Sequence, residues 1–277
     1  MQDSPRPDFT NPPVVEVVLS AQFEPLIQLG VPQLGALWER VYRTEFPRTE
    51  DKAPLPPVFE SFERPKQRPL SVEIVSEPLP PRCWFVNRTG TELLQVQRER
   101  FIFNWRGGEY GEPYPRYEKV LSKFKSHFSQ FEKYTANNEI GAIVPNQCEV
   151  TYVNHMPEGK GWSRLGQFDR IFSIWSGRYS DRFLPEPEEI QFQSRYRIMN
   201  DENKPIGRLH VSAEPRLKRE DGSKLIRVTF TARGEPLEKN LSGIEAFFNL
   251  AREQIVRGFA SITAKRMHKI WGRTDAQ

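Results

Sequence analysis

Cysteine is nearly absent: the 277 residues include only Cys83 and Cys148, each inside an apolar run. Two isolated thiols build no disulfide framework, so buried structural thiols and a reducing compartment are expected. Histidine is scarce too, with His127, His155, His210 and His268 standing far apart in the chain. No two of them share a metal-ligand spacing with each other or with a cysteine, so no metal is expected. Glycine-rich phosphate loops are missing. Gly107-Gly108-Glu109-Tyr110-Gly111 lacks the Lys-Ser/Thr ending and the strand-to-helix context that such loops need. No nucleophile elbow occurs. Glu50-Asp51-Lys52 and Glu158-Gly159-Lys160 resemble half of a metal-nuclease site, but both fall in expected loops with no strand-borne Asp just before them. No run approaches the ~18 apolar residues of a membrane span, and Met1-Gln2-Asp3-Ser4-Pro5 lacks the charged-then-apolar order of a secretion signal. These absences predict a cytoplasmic protein with no membrane partner, no cofactor and no recognisable catalytic residue.

What is present is charge, proline and phenylalanine. Lys and Arg number 40 against 36 Asp and Glu, a mildly basic balance spread along the chain that permits an acidic partner without requiring one. Residues 1–12 read as a polar, flexible arm. The β-branched run Val14-Val15-Glu16-Val17-Val18-Leu19 then opens a strand. After Val31-Pro32, apolar residues at Leu34, Leu37, Trp38, Val41, Tyr42 and Phe46 follow helical spacing, and Pro47 ends that helix. Dense prolines between Arg48 and Pro69 predict an extended surface loop. Four strands follow, near Leu70–Glu77, Arg82–Asn87, Thr91–Gln97 and Arg100–Arg106, and a helix over about Tyr114–Tyr134 carries Tyr117, Val120, Leu121, Phe124, Phe128 and Phe131 on one face.

The same order recurs from Cys148-Glu149-Val150-Thr151-Tyr152-Val153 onward. A helical pattern at Leu165, Phe168, Ile171, Phe172 and Trp175 precedes strands near Glu189–Met199, Gly207–Glu214 and Lys224–Arg233. A closing helix from Ser242, its expected cap, to about Trp271 aligns Ile244, Phe247, Phe248, Ala251, Ile255, Phe259 and Ile262. The expected class is α+β: two pseudo-repeated halves, 13–140 and 141–277, whose antiparallel curved sheets are backed by long amphipathic helices in one unit. By analogy this is TATA-binding-protein-like or helix-grip-like, and such an analogy fixes no function.

Three segments carry a family resemblance. They are Asn11-Pro12-Pro13-Val14-Val15-Glu16-Val17; Leu94-Gln95-Val96-Gln97-Arg98-Glu99-Arg100-Phe101 with Asn104-Trp105-Arg106; and Ile262-Thr263 with Met267-His268-Lys269-Ile270-Trp271-Gly272. Together they resemble a sporadically distributed prokaryotic family of unknown function and similar length. The resemblance implies a setting among mobile genes, such as toxin–antitoxin or phage-defence cassettes, and carries over no catalytic residue.

One constellation points to binding. If the last three strands alternate strictly, Phe192, Tyr196, Ile198, Leu209, Val211, Ile226, Val228 and Phe230 face the helices. Arg195, Arg197, Arg208, His210, Arg227 and Arg233 then gather on the other face with Gln191, Gln193, Ser212, Thr229 and Thr231. A wet sheet face balanced by Glu214 and its neighbours accounts for the pattern. So does a basic platform for an acidic macromolecule, protein or nucleic acid, which arginines would grip bidentately. Aromatic rings suited to base stacking are scarce there. At the C-terminus Arg266, Lys269 and Arg273 continue the face of the closing helix, where the helix dipole favours cations by roughly 0.3–1 kcal/mol each. With Trp271 they form a second candidate contact surface. The prolines at Pro54–Pro57 offer a docking segment or a plain loop. The leading expectation is a non-enzymatic binding or regulatory protein, with homodimerisation left open. The rival is a small-molecule sensor or enzyme with an aromatic-lined pocket between sheet and helix, drawing on Trp105, Tyr152, Trp162 and Trp175.

Overall fold

In the computed structural model the extended segments of the described residues pair as a single antiparallel sheet of nine strands, most of them carrying the apolar–polar alternation of a half-buried strand. The structure describes residues 5–62, 80–181, 183–218 and 221–275. Its strands are β1 (Val14–Phe23), β2 (Arg48–Lys52), β3 (Arg82–Val86), β4 (Glu92–Gln97), β5 (Arg100–Trp105), β6 (Pro145–Pro157), β7 (Phe192–Met199), β8 (Pro205–Leu217) and β9 (Lys224–Gly234), in the order β2-β3-β4-β5-β1-β6-β9-β8-β7. β1 and β6 pair at the centre, with Leu19 opposite Val150 and Ala21 opposite Cys148. β5, β4, β3 and β2 extend one side, while β9, β8 and β7 extend the other.

Among the described residues four α-helices accompany the sheet: α1 (Val31–Leu37), which continues as a π-helical turn over Trp38–Tyr42, α2 (Tyr117–Asn137), α3 (Leu241–Ile262) and α4 (Lys265–Trp271). In α2, Val120, Leu121, Phe124, Phe128 and Phe131 recur at three- and four-residue steps and are all buried. Phe101 of β5 meets Phe124, Phe128 and Phe131, and Phe124 packs edge-on against Phe248 of α3 at 5.0 Å. Phe230 of β9 meets Phe259 of α3 at 5.9 Å. Both long helices therefore cover one face of the sheet, here the inner face. The hydrophobic core lies between them and the strands. Gly207 and Gly234 pair across β8 and β9 beneath Phe247 of α3, where a Cβ on Gly234 would sit 2.4 Å from the Ile206 carbonyl oxygen.

Several expectations are corrected. Arg48–Lys52, read as loop, is the edge strand β2. Its Arg-Thr-Glu-Asp-Lys sequence gives little apolar signal because an edge strand borders water, and charges there discourage further pairing. The second-half helix expected around Leu165–Trp175 is only a 3-10 turn at Phe168–Arg170, although Phe168, Ile171 and Phe172 are buried. The single closing helix breaks at Thr263-Ala264, and Asn240, not Ser242, caps α3 by accepting from the Gly243 amide at 2.8 Å. The expected flexible arm is tied down over its described residues. Phe9 is buried against Phe259, His268 and Trp271, and the Thr10 and Asn11 amides donate to the Gly272 and Trp271 carbonyls. The strand expected at Leu70–Glu77 lies outside the described residues. Among those residues, no helix is long and apolar enough to cross a membrane.

Candidate functional site

The register of β7, β8 and β9 puts every second side chain on the outer face, away from the helices. Arg197 stands opposite Arg208, Arg208 opposite Arg233, and Arg233 opposite Glu149 of β6. In the next row, Arg195 faces His210, His210 faces Thr231, and Thr231 faces Thr151. Leu209, Val211, Val228 and Phe230 point the other way and are buried. Three guanidinium groups abreast repel one another, so the row needs an anion.

That anion comes from far along the chain. Glu60 places Oε1 2.6 Å from His210 Nε2 and 3.4 Å from Arg233 Nη1, and its Oε2 pairs with Arg208 Nη1. The Glu60 side chain is 5% exposed, against 20% for Arg208 and 21% for Arg233. Arg208 also donates to the Ser61 carbonyl at 3.1 Å, and its guanidinium lies 5.0 Å from the Phe62 ring. Arg233 holds Glu149 through Nε at 2.6 Å. Glu214, expected to balance the charge, pairs instead with Arg216 at 2.7 Å.

The structure thus brings Arg208, His210 and Arg233 together and sets Arg195 and Arg197 beside them, exposed and with no partner among the described residues. Arg227 is on the same face but stands apart, roughly 20 Å along β9 from Arg233 at about 3.3 Å per residue. Of the second candidate surface, Arg266 and Lys269 are exposed. Trp271 is buried in the core, and Arg273 is held by Asp275, so neither is a free anchor. The Arg273 hydrogen bond keeps the Asp275 carboxyl at a pKa of about 2.

Glu60 arrives on a segment that crosses the outer face of β4, β5 and β1. There Gln97 donates Nε2 to the Leu55 carbonyl at 2.9 Å and accepts the Leu55 amide at 3.0 Å. Gln22 Oε1 accepts the Val58 amide at 3.0 Å, and Arg100 donates to the Pro56 carbonyl at 3.1 Å. Deeper on this face Arg82 donates to Gln95, Gln95 to Asn104, and Asn104 to Glu16 at 2.7 Å. Burial raises the Glu16 carboxyl above its ordinary range despite that hydrogen bond. Lys52, Arg82 and Arg106 surround the Trp84 ring at 4.7, 5.6 and 6.0 Å. Trp84 Nε1, Arg82 Nε, Arg100 Nε and Gln147 Nε2 are buried without a hydrogen-bond partner among the described residues, and all four are donors.

A separate cavity of about 370 Å³ lies on the inner side, between the arm, α2 and α3. Tyr114, Tyr117, Tyr152, Phe9, Val14 and Phe259 line it. The Tyr114 and Tyr152 hydroxyls are 3.0 Å apart, and burial raises both phenols. Its rim carries three ion pairs, Arg6–Glu253, Arg116–Asp8 and Arg252–Glu118, and is therefore balanced in charge. Of the four aromatics expected to line such a pocket, Tyr152 does so, while Trp105 backs Tyr114 at 5.5 Å. Trp162 is buried, and Trp175 packs beside Tyr179 elsewhere.

Burial pushes the Cys83 thiol up to about 12 and raises Cys148 as well, so both are inert. Among the described residues, no three His, Cys, Asp or Glu side chains are placed to hold a metal ion. Compared with protein-family models, curated proteins and solved structures, the chain gives no match.

Proposed function

We propose that the chain is a non-enzymatic binding or regulatory protein whose outer sheet face holds an acidic partner through Arg195, Arg197, Arg208, His210 and Arg233. The observation that carries this reading is that the row already grips a carboxylate, Glu60, and still leaves Arg195 and Arg197 without a counter-charge among the described residues. Charge-assisted hydrogen bonds from paired guanidiniums are strong and suit carboxylates and phosphates. The buried donors on the same face that are unpaired among the described residues call for hydrogen-bond acceptors, and leaving each unmet costs about 1–3 kcal/mol. The sheet order, mirrored about β1 and β6, supports reading the two halves as a pseudo-repeat with a TATA-binding-protein-like arrangement. A role in prokaryotic defence or a toxin–antitoxin system rests on the sequence resemblance alone, and a cytoplasmic location on the scarcity of cysteine and on the lack of a secretion signal or apolar span in the sequence.

Changing Arg195 and Arg197 to Ala tests the reading without touching the Glu60 cluster. Capture of polyglutamate in a co-sedimentation assay should fall at least tenfold, with the melting temperature unchanged. Undiminished capture would refute it.

The tyrosine cavity favours a second reading, a small-molecule site. Two hydroxyls that face each other engage one proton between them, so the other is a buried donor with no acceptor among the described residues. A volume of 370 Å³ lies within the roughly 300–1,000 Å³ typical of ligand pockets. A ligand-specific thermal shift that Tyr152→Phe abolishes would select this reading; shifts with polyanions alone would reject it.

A further inference from the structure

We propose that the outer face is a groove for an extended peptide, that residues 54–62 occupy it in cis, and that its partner in trans is an extended acidic peptide. This deepens the reading above by naming the partner class, and it rests on that reading. The contacts that hold the segment go mostly to its main chain: Gln97 to both polar groups of Leu55, Gln22 to the Val58 amide, Arg100 to the Pro56 carbonyl and Arg208 to the Ser61 carbonyl. Main-chain contacts of this kind accept many sequences.

One side chain supplies the specificity. Glu60 alone enters the Arg208, His210 and Arg233 cluster, as the carboxylate of a bound peptide would. Pro54, Pro56 and Pro57 stiffen the segment in extended conformations and so reduce the ordering cost of docking. Among the described residues the fit in cis is incomplete, because Arg195 and Arg197 stand opposite His210 and Arg208 and no described carboxylate pairs with them. A peptide with a second acidic residue beyond the position of Glu60 would use them, and that margin lets a trans peptide displace the resident one.

A tethered segment competes at an effective concentration on the order of millimolar, and the apparent affinity of a trans ligand falls by the fraction of time the face is covered. Fluorescence anisotropy on the full chain tests this with a labelled peptide copying residues 53–62, Ala-Pro-Leu-Pro-Pro-Val-Phe-Glu-Ser-Phe. Glu60→Gln should bind the peptide at least tenfold more tightly than the wild type. Adding Arg208→Ala should remove that gain, and a peptide with Gln in place of its Glu should bind at least tenfold more weakly. Equal binding by wild type and Glu60→Gln, or by the two peptides, would overturn the proposal.

Hydrogen exchange on the wild type guards against a variant that fails to fold. Saturating acidic peptide should accelerate exchange of the Leu55 and Val58 amides, and unchanged exchange overturns the proposal. Polyglutamate captured through Arg195 and Arg197 with no response at Leu55 or Val58 would defeat the cis-occupant inference and leave the acidic-partner reading standing. A single-stranded oligonucleotide that binds Glu60→Gln while the peptide does not would overturn the peptide class.

Discussion

Replacing Glu60 with Ala removes the carboxylate that joins the two halves of the outer face. Its 5% exposed side chain meets two arginines and a histidine, each itself about one-fifth to one-quarter exposed. Breaking a fully buried ion pair costs about 3–5 kcal/mol because a charge is left behind unpaired. Here the cations keep some water, Arg233 keeps Glu149 and Arg208 keeps the Ser61 carbonyl, so the expected loss is about 2–3 kcal/mol. Glu60→Gln, which preserves an acceptor, should lose about half of that. Urea unfolding should show a lower midpoint with an unchanged slope. A double-mutant cycle with Arg208→Ala should return a coupling of roughly 1–2 kcal/mol, and 0.5 M salt should erase only part of it. A loss under about 0.5 kcal/mol, or one abolished by salt, would make Glu60 an ordinary surface ion pair and refute the reasoning.

Three further outcomes follow from the same structure. Burial raises the Glu16 carboxyl, so its ionised form is penalised in the fold. Glu16→Gln should therefore melt higher than the wild type at pH 7, with the advantage vanishing below the ordinary value of 4.5; an advantage constant across pH would contradict this. His127, His155 and His268 are all held neutral, chiefly by burial, with folded values below 6.5. Their contribution is complete above pH 6.5 and lost as the pH falls through those lower values, so melting temperature should decline on acidification from pH 6.5 and decline less in His127→Gln. Gly234→Ala should lose about 1–3 kcal/mol in chemical denaturation, because the added methyl would press on the Ile206 carbonyl and the Phe247 ring; a neutral result would mean that α3 lifts away freely.

Strands whose two faces see different solvents were readable from period-two alternation. Gly207–Glu214 and Lys224–Arg233 emerge as the cores of β8 and β9, with the inward and outward residues as expected. The aromatic stripe of α2 was equally plain. Elements governed by long-range partners were not. β2 is charged because it lies at an edge, and the break at Thr263 depends on the Ala264 amide donating to the Ile171 carbonyl, a contact no local pattern announces. The site was half legible. Alternation placed the arginines, but their counter-ion lies 148 residues from Arg208 and 150 from His210, inside a proline-rich stretch that reads as loop. The one local hint was a carboxylate set between aromatics, Phe59-Glu60-Ser61-Phe62, a context unusual for a fully solvated turn.

In the proposed reading, the row of Arg197, Arg208 and Arg233 and the neighbouring Arg195 form one anion-binding patch on the helix-free face. It is tested most directly by following the arginine Nε–H resonances during titration with a glutamate-rich peptide. Shifts should concentrate at Arg195, Arg197, Arg208 and Arg233 and saturate together, while Arg116 and Arg252 at the tyrosine cavity stay still. Shifts confined to Arg116 and Arg252, or scattered evenly over the surface arginines, would contradict it.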